Sequence, residues 1–552
     1  MIRHLQNGVP RTTLKSRRLE IEERLAAYGL ARGPRRLLGD AADYEMAYAR
    51  RLRAVLESLG PVFSSFGLYL SSRIDLLPAT ICLELAATPD KADATPLTTA
   101  QALFSRETGC LTKDAFSTFA EEPFESRLFY QTHAALLQDG TPVAIKIIHL
   151  EAEEQVPCDV ELLSLMSDAL AIGGMTASCI KSAIADFRHT LRQQIDFIHE
   201  AKALAALAQD AEEFDMLGAP GVQIDLSTAK VLVVERLGGT SLADVIALFN
   251  SPNGAGRVGR YGGIDRSELA RLLATVWLRQ ALLGHTFPVE PRPENIRLLP
   301  DKRISFTGGV FSRLPPEPQT NLWDYLIAVS TEHPDRACSC LLREIRKEEA
   351  AASDDELRQR FRQIVLFRDG IWKGVGDHAD LSEYLFAQWR LASECGYTPR
   401  AHLSSFFRGL FTTTEVARRF APDYAAVTEA LRDVRLMASL TELRGMISLR
   451  QLGDQMDKYA VMMTELPQRI DEVLTLASGG NAQLKIHISE PDSHRGRKNR
   501  SAAVTALLLV LAAIALLSHN ITTSAGPWVV RLISIAFVAA SALLLRVVSN
   551  SR

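Results

Sequence analysis

Apolar positions along this chain change their spacing several times. From 16 to 60 they recur every three to four residues among Arg and Glu, the period of a helix, and the same spacing returns over 97–120. At 127–148 the period shortens. "RLFYQTHAALLQDGTPVAIKII" sets two apolar runs around Gln138-Asp139-Gly140, which predicts a β-hairpin. Helical spacing resumes over 159–210. "KVLVVERLGG" (230–239) reads as a buried strand ending at Gly-Gly, "SPNGAGRVGRYGG" (251–263) as a flexible insertion, and 266–285 as a helix. The stretch 284–314 holds a proline-spaced polar loop and two short strands. From about 320 to 476 the pattern is almost wholly helical, and no internal repeat is visible.

The end of the chain differs in kind. "AAVTALLLVLAAIALL" (502–517) and "WVVRLISIAFVAASALLL" (528–545) are apolar all round and joined by a Gly-Pro turn. A spanning helix needs about 20 apolar residues, so both runs are short but sufficient, and they predict two transmembrane helices. Trp528 stands where an interfacial anchor would, and Arg531 is close enough to the end to snorkel. "RGRKNR" (495–500) precedes the first run, Arg546 and Arg552 follow the second, and the connecting turn has no Lys or Arg. The excess of basic residues on the flanks puts both ends, and the bulk of the chain, on the cytoplasmic side of the membrane.

Composition narrows the remainder. Over 552 residues, hydrophobics are 47%, charged residues 23% and the net charge −3. That balance is globular and offers no basic face for nucleic acid. Seven cysteines are scattered, and the close pair Cys338 and Cys340 lacks the second pair and histidines of a zinc site. Free thiols in a reducing compartment are expected. The N-terminus carries Arg3, Arg11, Lys15, Arg17 and Arg18 before its first acid, with no apolar core behind them, and reads as a basic, poorly ordered tail or a mitochondrial targeting segment, not a secretory signal.

The order of elements is helices, a hairpin ending in a lysine, a helix with an internal glutamate, a strand, a helix, a polar loop with two strands, and a helical lobe. Its middle is the plan of a two-lobed kinase. The motifs sharpen that plan. "LGPVFSSFGLYLSSRIDLLP" (59–78) resembles the extension of the UbiB family of atypical kinase-like proteins, which reads roughly Leu-Gly-Pro-x-Phe-x-Lys-x-Gly-Gln-x-x-Ser-x-Arg-x-Asp-Leu-Leu-Pro. "LLQDGTPVAIKII", "QIDFIHEA", "KVLVVERLGGTSL", the 284–314 stretch and "MMTELPQRIDEVL" (462–473) continue the resemblance in order, over about 45–550. It implies an α+β, protein-kinase-like two-lobe fold. The expected divisions are a basic helical segment (1–44), a helical extension (45–125), an N-lobe (126–240), a mostly helical C-lobe (241–476), a basic linker (477–500) and the membrane hairpin (501–548).

The resemblance also implies site residues. Lys146, its expected partner Glu200, and Glu235 would hold ATP, Asn295 a Mg²⁺ ion, and Glu290 would stand at the catalytic aspartate's place. Asp196 matches the family as well. Several positions depart from it. The extension's Lys and Gln become Ser65 and Leu68, and the glutamate of the Glu-x-Asp element becomes Gln194. Loss of the cation and the anion together leaves a neutral Ser65/Gln194 couple instead of a lone buried charge. The alanine-rich nucleotide loop becomes "PFESRLF" (123–129), with Glu125 facing the phosphates and Arg127 offsetting it. His-Ala-Asp-Pro-His-Pro-Gly-Asn becomes Pro288 to Asn295, with glutamates at 290 and 294. The metal loop Asp-Phe-Gly becomes Thr307-Gly308-Gly309, so a neutral hydroxyl stands in place of the principal metal carboxylate. ATP and Mg²⁺ are therefore expected to be weakened.

Three functions stay open at this level. One is a membrane-anchored pseudokinase supporting ubiquinone or isoprenoid-lipid biosynthesis. The second is an active ATPase or lipid kinase of the same family. The third is a membrane adaptor without nucleotide. Expected partners are the bilayer and an isoprenoid intermediate or quinone-biosynthesis proteins, and no nucleic acid.

Overall fold

The computed structural model describes residues 11–30, 41–167, 177–251, 265–348, 351–366 and 380–447. The two apolar runs expected to span a membrane, the basic linker and nearly all of the 251–263 insertion lie outside these residues. Among the described residues no helix is long and apolar enough to cross a membrane.

The chain opens with α1 (Arg11–Ala27), α2 (Ala41–Ser58), α3 (Pro61–Leu70) and α4 (Ala79–Ala86). The helical period of 16–60 thus belongs to two helices, not one, and Arg11 to Arg18 lie in α1 instead of a poorly ordered tail, Arg17 being tied to Asp159 at 2.8 Å. Proline at the first position of α3 costs no hydrogen bond, because that amide has no partner inside a helix. Val62 to Leu70 are all buried, as befits a helix without a polar face. Next come α5 (Leu97–Thr108) and the single turn α6 (Thr112–Ala115). The helix predicted over 97–120 ends early because Gly109 takes the left-handed conformation (φ 72°) as a C-cap. Phe116–Phe119 then forms β1 and joins the first sheet.

That sheet runs β1, β3 (Tyr130–Leu137), β4 (Pro142–Ile148), β6 (Val231–Glu235), with the short β2 (Glu125–Ser126) also paired to β3. All pairings are antiparallel, and the predicted hairpin is β3–β4, in register Thr132 to Lys146. In β4 the side chains of Val143, Ile145 and Ile147 are buried on one face. The strand period of two therefore sends Lys146 to the other face. After β4 come α7 (Leu150–Leu162), α8 (Ala177–Gln194) and α9 (Phe197–Glu213), the last packed against β6. The 159–210 helical pattern breaks at Ile195 and Asp196, where the Asp196 carboxylate accepts from the Ile198 amide and caps α9.

The second lobe has a small sheet ordered β5 (Leu217–Gly218), β10 (Ile304–Phe306), β9 (Ile296–Leu298), β7 (Thr240–Ser241). A further pair, β8 (Phe287–Pro288) and β11 (Phe311–Ser312), brackets the polar loop. Around them stand α10 (Leu242–Phe249), α11 (Arg266–Leu283), α12 (Pro316–Ser330), α13 (Pro334–Glu344), α14 (Asp354–Leu366), α15 (Leu381–Glu394), α16 (Ala401–Phe420) and α17 (Ala426–Ile447). The region predicted as nearly all helical also contains an antiparallel pair, β12 (Ile345–Lys347) with β13 (Tyr397–Pro399). Three-residue strands leave too few alternations for the pattern to separate them from helix ends.

Candidate functional site

Lys146 and Glu200 meet as the motifs predict. The ammonium nitrogen lies 2.5 Å from Glu200 Oε1, and both side chains are buried. Asp196 starts α9 one turn before Glu200, so the capping bond fixes where the carboxylate stands. Tyr130 and Phe197 box the ammonium, with ring centroids at 4.3 and 5.7 Å. Burial alone would lower the lysine's pKa; the charge of Glu200 outweighs it and the net shift is upward. Burial likewise pushes the Tyr130 phenol up to about 12, so the hydroxyl stays neutral.

The loop that would carry the metal packs directly onto this pair. Gly309 adopts φ 117° and its amide donates to Glu200 Oε1 (3.1 Å). At Gly308 a Cβ would sit 2.5 Å from Glu200 Oε1 and 3.1 Å from Lys146 Nζ, so only glycine allows this approach. Thr307 turns its hydroxyl to the Asn295 carbonyl (3.2 Å), which also accepts from the Thr307 amide (2.9 Å). The hydroxyl is thus spent on the polar loop's own backbone.

Glu290 is held from two sides. One carboxylate oxygen is ion-paired to Arg408 and the other faces Arg292 at 3.5 Å. Arg408 is wholly buried, lies 4.3 Å over the Tyr69 ring, and also donates to Ser72 (3.3 Å) and Thr190 (3.2 Å). Arg292 reaches Asp90 at 2.6 Å. Burial opposes its charge, Asp90 and Glu290 favour it, and its pKa is raised on balance. Asp90 in turn holds Arg127 (3.2 Å), which pairs with Glu125 at 2.5 Å. From Arg408 the series continues through Asp186 (3.9 Å) to Arg73 (3.8 Å) and Asp75 (2.8 Å). Acid and base alternate without a break from β2, past the segment after α4 and the polar loop, to α16 and α8.

The space left at the bottom of the cleft is a cavity of about 40 Å³, lined by Tyr69, Lys146, Glu200, Glu290, Asn295 and Gly309 among others. Pockets for drug-sized ligands run to roughly 300–1,000 Å³. The donor set does not suit a magnesium nucleotide either. Glu290 is neutralised by guanidinium groups, Thr307 is neutral, and among the described residues no three His, Cys, Asp or Glu side chains converge on a metal position.

The sequence-predicted residues therefore divide. Lys146, Glu200, Glu290 and Asn295 line one small cavity. Glu235 stands apart: it ends β6, exposed, three register steps from the residue opposite Lys146, and accepts from the Gly221 amide at 3.3 Å. Ser65 and Gln194 meet as a neutral couple, Ser65 Oγ donating to Gln194 Oε1 at 3.4 Å. Glu125 and Arg127 do offset one another. Asp90, Arg292 and Arg408 were not singled out from the sequence. The detectable signal was Arg408, a lone cation inside the apolar run "SSFFRGLF" (404–411), since a buried charge must find a partner.

The model of the ABC1 atypical kinase-like domain matches residues 87–339. The chain belongs to the UbiB family. Among curated relatives, the "Probable protein kinase UbiB" of Marinobacter nauticus is 28% identical over 285 residues, 50% of this chain and 50% of that protein. Its counterpart in Pseudomonas paraeruginosa is 32% identical over 308 residues, 53% and 56% of the two chains. This UbiB-family chain thus spans about half the length of the curated relatives it matches. Among solved structures, Rv3197 of Mycobacterium tuberculosis, in complex with erythromycin, is 19% identical with a TM-score of 0.37, covering 65% of this chain and 88% of that one.

Proposed function

We propose that this UbiB-family chain is a membrane-tethered pseudokinase: a kinase-shaped scaffold in ubiquinone or isoprenoid-lipid biosynthesis that does not transfer phosphoryl groups. The observation that carries the reading is the state of Glu290. A general base must be free to accept a proton within reach of the substrate. Here the carboxylate at that position is bonded to a buried arginine and faces a second one, and the space it shares with Lys146 and Asn295 is only about 40 Å³. Phosphoryl transfer depends almost wholly on positioning and on metal and cationic charge. The loop that would hold the metal offers Thr307.

The test is a thermal-shift titration of folded protein with ATP, with and without Mg²⁺. A ligand at a hundred times its Kd stabilises by about 2.7 kcal/mol. No magnesium-dependent shift at millimolar ATP is expected. A magnesium-dependent shift with steady phosphate release overturns the proposal.

The intact Lys146–Glu200 pair favours a second reading, in which the cleft opens to hold nucleotide without metal. A metal-independent shift that Lys146→Ala abolishes would establish it. The tether is the pair of apolar runs at 502–517 and 528–545, placed in the bacterial inner membrane with the kinase-like lobes cytoplasmic. Resistance of the full chain to carbonate extraction, lost when residues 501–552 are removed, tests that half separately.

A further inference from the structure

A second and much larger cavity adjoins the same ion-pair series, sharing Asp90, Glu290 and Arg292 with the first. It encloses about 1080 Å³. Three apolar walls form it: Cys82 and Leu83 from α4, Phe386 and Leu391 from α15, Phe411 and Val416 from α16. Leu83 is 64% exposed, a large apolar side chain with little protein cover. Arg127, Asp90, Arg292 and Glu290 close one side, so this cavity shares the groups that shut the cleft.

Charge tells what would fit. The lining has equal numbers of acidic and basic side chains, but they are unequally partnered. Among the described residues, Lys91, Arg390 and Arg419 have no carboxylate partner, whereas Glu294 is the one lining acid without a basic one. Arg390 gives its Nε to the Ile74 carbonyl (3.0 Å) and keeps its remaining N–H groups.

We propose that this cavity binds a single-chain amphiphile with an anionic head, a carboxylate or a phosphate. The apolar body lies against α4, α15 and α16, and the head is held by the unpaired cations, chiefly Arg390 and Arg419. The inference deepens the reading above and rests on its lipid-handling half. It is indifferent to whether the cleft takes nucleotide, so the ATP titration and the experiment below fail separately.

The test uses the full chain in nanodiscs and a lauric-acid analogue carrying a diazirine on its chain, photolysed and mapped by peptide mass spectrometry. Parallel arms use the matching alkyl phosphate and the neutral alcohol. Labelling is expected on the peptides of α4, α15 and α16, and weaker for the alcohol by about tenfold, the worth of one charge-assisted hydrogen bond. Whichever anion labels more strongly identifies the head. Ala387→Trp, which narrows the cavity between α4, α15 and α16, should weaken the label. Arg390→Gln with Arg419→Gln, two exposed positions that folding tolerates, should lower it about tenfold. Labelling that is dispersed, equal for the alcohol, or unchanged in either variant overturns the proposal.

Discussion

Arg408→Met tests the closure of the cleft. The guanidinium is fully buried, ion-paired to Glu290, bonded to Ser72 and Thr190 and packed over Tyr69. Methionine keeps much of the stem and removes the charge. Glu290 is then left with Arg292 alone at 3.5 Å, and Asp186 loses a cation at 3.9 Å. Opposite charges 4 Å apart attract by roughly 4 kcal/mol at an effective dielectric of 20. Removing one member of a buried pair costs about 3–5 kcal/mol, because the survivor stays desolvated. The Glu290 side chain is 18% exposed, so water relieves part of that. The expected loss is at the lower end, about 3 kcal/mol. Glu290→Gln together with Arg408→Met leaves no stranded charge and should return to within about 1 kcal/mol of the parent. Urea unfolding followed by tryptophan fluorescence reads both, since Trp277 and Trp389 are fully buried in the same lobe. If Arg408→Met unfolds at the parent's urea concentration, or if the double variant loses the sum of its parts, Glu290 is not held by this pair and the closure argument falls.

Further outcomes follow from neighbouring features. Gly308→Ala drives a methyl to 2.5 Å from Glu200 Oε1 and should destabilise by about 1–3 kcal/mol, as overpacking does, measured in the same urea assay. Thr307→Asp should bring no magnesium-dependent thermal shift by itself, because Glu290 stays neutralised and the cavity stays small; a shift would show that one carboxylate is all the cleft lacks. At the other end of the C-lobe, Glu344 accepts from Asn321 (2.8 Å) and pairs with His402 (2.7 Å). Burial would raise its pKa, but these partners outweigh it and hold it below the ordinary 4.5. A depressed folded value means stabilisation present above pH 4.5 and lost as the pH falls through the folded value. The stability gap between parent and Glu344→Gln should therefore narrow on acidification, and a gap that stays constant in denaturation curves across that range would refute the assignment.

The sequence made the Lys146–Glu200 pair legible because both ends are set locally. A β-branched hairpin fixes one and an aspartate cap fixes the other. The Ser65/Gln194 couple was legible by a different route, since two charges lost together suggest that the two positions touch. Thr307 was read as a lost metal ligand, and its actual bond to the Asn295 carbonyl could not be read, because backbone contacts between loops leave no composition signal. Arg408 was missed for a related reason. It joins Glu290 across 118 positions, and one sequence shows a buried arginine without showing what it was buried for. The early end of α5 and the β12–β13 pair were lost to short-range ambiguity, where three or four residues satisfy either period.

The spread of the ion-pair series along the chain has a consequence during synthesis. Asp90 and Arg127 leave the ribosome early, Glu290 and Arg292 well after them, and Arg408 later still. The hairpin and the first helices can settle as they emerge, since domains form from the N-terminus onward. Until α16 is translated, however, Glu290 has no interior cation to meet it. A nascent chain stalled before residue 400 should thus hold an open, protease-sensitive groove that the finished protein lacks.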